Sequence, residues 1–89
     1  MEMKDKRWKI MNDFKNMLEI EKERKRFIKE LDIEAAKKYH KRYFGVDSFS
    51  DEVMLIGLHK ARYHSYFATV EEKEESKKWL ESNGYSTNF

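Results

Sequence analysis

Proline is absent from this chain, and glycine occurs only at positions 45, 57 and 84. These two residues are the main interrupters of helices. Proline lacks the amide hydrogen and clashes with the preceding turn, and glycine gives up more backbone freedom on folding than any other residue. A chain of 89 residues that nearly lacks both is therefore biased toward helices joined by short turns. The closest approach to a strand pattern is "GVDSF" at 45–49, which alternates over too few residues to count.

Helical spacing divides the chain. From about Lys4 to about Leu31 the sequence reads as one long helix or two stacked ones, with Ile10, Met11, Phe14, Met17 and Leu18 on one side. The stripe breaks at "EIEKERKR" and returns at Phe27, Ile28 and Leu31. Such a break suits a helix whose middle projects past the core or packs on a second subunit. Asp32 can accept from the free amides that follow and so start a second helix, which Gly45 ends. Ile33, Ala36, His40 and Phe44 share one face of it. Ser50 caps a third helix, with Phe49 and Met54 at staple positions. That helix opens with "VMLIGL" at 53–58, apolar on nearly every side, and is expected to lie at the centre. Gly57 inside it points to a close helix crossing. Thr69 and Glu72 form a capping box for a last helix from Val70 to about Ser82, closed by Gly84 with Tyr85 folded onto Leu80. The expectation is an all-α fold: one domain over 1–89, a small bundle of about four helices with a long N-terminal helix, a central buried helix and a tail at 85–89.

Charged residues make up 40% of the chain, yet 19 basic and 17 acidic side chains leave a net charge of only +2. Disorder usually needs a larger imbalance, and two Trp, five Tyr, six Phe and five Met supply bulk for a thin core. A thin core in a small chain, with no cysteine to staple it, commonly gains a neighbour. Self-association or a protein partner is expected. The lack of cysteine also excludes thiolate metal sites and cysteine nucleophiles. The first eleven residues hold no apolar stretch fit for a signal peptide, and no segment approaches the ~20 apolar residues of a membrane span. A cytoplasmic protein without membrane contact is the expectation.

Two candidate surfaces follow. Lys37, Lys41, Lys60 and Arg62, with Tyr39, Tyr63, Tyr66 and His64, combine cations with rings. Forked guanidinium groups hold phosphate and rings stack on bases. This surface suits an anionic ligand such as a nucleotide, a cyclic dinucleotide or single-stranded nucleic acid, while the plain alternative is a solvated helix face. The near-zero net charge argues against duplex DNA. The second surface is aromatic: Trp8, Phe27, Trp79, Tyr85 and Phe89 exceed what a small core needs, and rings, Trp and Tyr above all, dominate interface energies. The plain alternative is that they pack the ends of the bundle. His40, His59 and His64 lack metal-ligand spacing, so no metal is expected. There is no Gly-rich phosphate loop and no nucleophile elbow. No catalytic residue is assigned, and no cofactor.

"LHKARYH" and "ESKKWLESNGYS" in the C-terminal third resemble the tails of small bacteriophage-encoded proteins. The resemblance implies action by binding, either inhibiting a host or defence protein or sequestering a nucleotide signal, in the host cytoplasm. It carries over no site residue. The leading expectation is a non-enzymatic helical binding protein that self-associates and docks on a larger protein. The alternative is a binder of an anionic ligand through the Lys/Arg/Tyr surface.

Overall fold

The computed structural model describes the chain from residue 2 to residue 89, with side chains described from residue 13 onward. Four helices follow one another: α1 (Glu2–Glu30), α2 (Ile33–Phe44), α3 (Asp51–His64) and α4 (Val70–Ser82). The described residues contain no strand. The architecture is an all-α small bundle.

Local hydrogen bonds set the helix ends. The Ala35 amide donates to the Asp32 carboxylate at 3.1 Å, and the Val53 amide to the Ser50 hydroxyl at 3.2 Å. At α4 the Glu72 amide donates to Thr69 Oγ1 while the Thr69 amide donates to Glu72 Oε1, a complete capping box. Gly45 and Gly84 take left-handed conformations, which glycine reaches without a Cβ penalty. The Tyr85 amide donates to the Leu80 carbonyl at 2.9 Å and the Gly84 amide to the Glu81 carbonyl at 3.1 Å, which closes α4 as a Schellman end. The same pair of bonds closes α1, from Asp32 to Phe27 and from Leu31 to Ile28, but there the left-handed residue is Leu31, at φ 54°. A leucine in that conformation costs about 1–2 kcal/mol. It is held because its side chain packs against the core.

The core consists of Phe27 and Ile28 from α1, Ala36 from α2, and Met54 and Leu58 from α3. α4 packs chiefly on α3, through Ser76 and Leu80, both fully buried. The buried line of α3 is Met54, Leu58 and Arg62, with His59 beside it. Two expectations are thereby corrected. The segment Val53–Leu58 is not enclosed on all sides: Val53 is 49% exposed and Gly57 lies open. The run is apolar all round, but neighbours cover only part of its circumference. Gly57 makes no close crossing, since a Cβ placed on it would meet nothing within 4 Å. On α2, Phe44 is exposed, while Tyr39 turns inward to meet Phe27 edge-on at 5.2 Å.

Gly57 yields a first prediction. Alanine there adds no clash and removes the entropic cost of a mid-helix glycine. Gly57→Ala is expected to raise stability by about 0.4–1 kcal/mol in urea unfolding. A loss of stability would mean that Gly57 is packed more closely than its surroundings indicate.

The molecule is elongated. Its radius of gyration is 16.5 Å, against about 12 Å for a compact domain of this length. Its accessible surface is 6956 Å², about 1,400 Å² more than a compact monomer of this mass presents. At 29 residues, α1 is about 43 Å long. Residues 13–19 of it are all exposed, and Phe27 and Ile28 are its only buried positions among the described ones.

Candidate functional site

The sequence places Arg62 among surface cations, but the fold turns it inward. Arg62 is 4% exposed. Its Nε donates to Ser76 Oγ at 2.7 Å, one terminal nitrogen donates to the Lys29 carbonyl at 3.2 Å, and the other donates to Glu75 Oε1 at 2.9 Å. Ser76 Oγ also lies within hydrogen-bonding distance of His59 Nδ1, 3.0 Å away. The His59 ring stacks on Trp79 with centroids 4.2 Å apart. One guanidinium therefore ties α1, α3 and α4 together. The Ser–His pair has the composition of a nucleophile and its base. However, Ser76 is fully buried and His59 is 3% exposed. The cluster braces the fold.

Burial, and then the positive charge of Arg62, push the His59 pKa down from 6.5 to about 4. In the unfolded chain His59 binds a proton near pH 6.5. The unfolded state therefore holds more protons between pH 4 and 6.5, and stability rises with pH across that window. The contribution is complete above pH 6.5 and is lost as pH falls toward 4. It amounts to at most about 3 kcal/mol. His59→Gln is expected to flatten the stability–pH curve between 6.5 and 5. Asp32 and Glu72, whose pKa values are lowered by backbone amides at the helix caps, add their own loss at lower pH. An unchanged slope in His59→Gln would refute the assignment.

The remaining cations and rings of the anionic-ligand surface do not converge. Lys37 and Lys41 line a cleft of about 170 Å³ with Lys38, Val46 and Asp47, and Lys37 is ion-paired with Asp51. Hydrogen bonding to that carboxylate raises the Lys37 pKa. Tyr39 packs against Phe27 and Tyr43, so its ring is not free to stack on a base. Tyr66 is exposed beneath Lys25 of α1, with the ammonium 5.1 Å from the ring centre. His64 donates through Nε2 to the Thr87 carbonyl at 2.6 Å and lies edge-on to Tyr63. Lys60 is half-buried and does not line the Lys37–Lys41 cleft.

The aromatic candidates divide differently. Phe27 belongs to the core of one chain, at 3% exposure, and is not a free interface residue. Trp79 is half-buried between His59 and Tyr85, and Tyr85 donates to the Glu52 carboxylate. The side chain of Trp8 lies outside the described residues. Apolar residues that do face solvent include Phe14, Met17 and Leu18 on α1, Phe44, Phe49 and Val53 around the α2–α3 turn, and Val70 and Phe89 further on.

Between α1, α2 and α3 runs an open groove of about 340 Å³, which the exposed ring of Phe89 in the tail also lines. Phe27 and Ile28 form one wall, Tyr39 and His40 another, and Val53, Gly57 and Ala61 the floor. The floor residues recur every fourth position, so they form one ridge of α3 on which a helix can approach closely. His40 Nδ1 is buried in this wall without a hydrogen-bond partner among the described residues. Sequence reading passed over the groove, although the spacing of Val53, Gly57 and Ala61 was visible. Among the described residues there is no cluster of metal-binding side chains, and no helix is long and apolar enough to cross a membrane. Comparison with protein-family models, curated proteins and solved structures found no match.

Proposed function

We propose that this protein is a non-enzymatic helical interaction module that self-associates and docks on a larger protein through the groove of α1, α2 and α3. The observation that carries this reading is the open, apolar groove, floored by the small residues Gly57 and Ala61. Apolar grooves of this shape receive the apolar face of an amphipathic helix. The closed Ser76–His59–Arg62 cluster supports the non-enzymatic part of the reading. The bacteriophage resemblance of the C-terminal third makes a host or defence protein the natural target, in the host cytoplasm.

A photo-cross-linking residue in place of Phe49, an exposed ring that lines the groove, tests this in cells, with position 74 on the exposed side of α4 as control. Capture of a protein at 49 and not at 74 is the expected result, and a second copy of the chain counts as such a protein. Equal labelling at both positions, or none at either, removes the reading.

The anionic-ligand alternative retains Lys37 and Lys41 and the cleft they line with Lys38. It loses Arg62, whose donors are all directed inward. A thermal-shift screen against nucleotides and cyclic dinucleotides tests it. A ligand at 100 times its dissociation constant adds about 2.7 kcal/mol of stability, and no shift with any of them removes the alternative.

A further inference from the structure

Two apolar surfaces of this chain lack a covering element. One is the groove of α1, α2 and α3. The other is the stripe of Phe14, Met17 and Leu18 on α1, exposed by 58, 59 and 55%. Within one chain they cannot meet. α1 is continuous, and the stripe lies 9–13 residues before Phe27, or about 14–20 Å along a rigid axis. The excess surface of about 1,400 Å² per chain exceeds the ~800 Å² per partner of a standard stable interface.

We infer that the occupant of the groove is α1 of a second copy, laid antiparallel about a twofold axis near Glu21. This rests on the interaction-module reading above and names the partner of that same groove. The register follows from where the surfaces lie. Antiparallel helices crossing at residue 21 bring residues 14–18 of one chain opposite residues 24–28 of the other. Phe14, Met17 and Leu18 of each copy then enter the groove beside Phe27 and Ile28 of its partner, a self-complementary contact made twice. The polar break in the apolar stripe falls on the axis. There the two Glu21 carboxylates face each other, and Arg24 of each chain, 3.1 Å from its own Glu21, offsets their repulsion.

Mass by light scattering at about 100 µM is the first measurement, and twice 10.9 kDa is expected. Leu18→Glu alters an exposed side chain and leaves the monomer fold intact. It is expected to raise the dimer dissociation constant about 30-fold or more. Gly57→Phe starts from a position where an added Cβ meets nothing within 4 Å; it fills the groove floor and is expected to do the same while the circular-dichroism spectrum stays helical. An equal mixture of the two variants regains dimer, since one of the two contacts is intact in the mixed pair. The chain has no cysteine, so single cysteines report the register cleanly. Glu21→Cys is expected to form a disulfide-linked dimer and Phe14→Cys is not. A monomeric wild type, a dimer indifferent to Gly57→Phe, or ready cross-linking through Phe14→Cys each overturns the inference. Capture of some other protein from position 49 would then still uphold the interaction-module reading.

Discussion

Arg62→Ala is expected to lower folding stability by about 3–5 kcal/mol, the scale on which removing one member of a buried charged network destabilises a protein. The reason lies in what it leaves behind. The Lys29 carbonyl and the Ser76 hydroxyl lose their donor, and α4 loses its tie to α1 through the guanidinium. A small domain loses about 1–3 kcal/mol per molar urea, so the urea midpoint is expected to fall by about 1 M or more. Glu75 supplies the built-in control. Its carboxylate accepts from Arg62, but its side chain is 69% exposed, and exposed ion pairs contribute little. Glu75→Ala is expected to cost under about 1 kcal/mol. Arg62→Lys keeps the charge but not the planar fork, and is expected to behave much more like Arg62→Ala. Equal losses in Arg62→Ala and Glu75→Ala would mean that the ion pair, and not the buried hydrogen bonds, holds the helices together.

Phe27→Ala is expected to cost about 3–5 kcal/mol, the usual range for removing a buried ring. Phe27 anchors the core between α1, α2 and α3 and packs edge-on against Tyr39. The measurement also separates a core residue from an interface residue. In the Leu18→Glu background, where association is expected to be weak, the loss should persist. If it disappears there, Phe27 acts between chains, as its aromatic character first indicated. Together the two substitutions probe the two supports of the bundle, one apolar and one polar, which follow one another along the buried line of α3.

The helices themselves were legible before any coordinates. Asp32, Gly45, Ser50, Thr69 with Glu72, and Gly84 each act within six residues of their hydrogen-bond partners. A bond of such short range is determined by the local sequence whatever the rest of the chain does. Leu31 was the local exception: it takes a position that favours glycine, because core packing outweighs its backbone cost.

The faces were another matter. Helical spacing groups residues into stripes but does not say which stripe finds a neighbour. "VMLIGL" is apolar all round, so no periodicity in it could reveal that Val53 and Gly57 would line an open groove. Lys60, Arg62 and His64 stand within five positions of one another, yet only Arg62 is buried. The partners that draw it in, Lys29, Glu75 and Ser76, lie 13 to 33 residues away. The sequence by itself determined four helices and most of their ends, because capping energy is local. Tertiary packing alone decided which apolar surfaces were left uncovered and which cation became a brace, because burial depends on contacts between segments far apart in the chain.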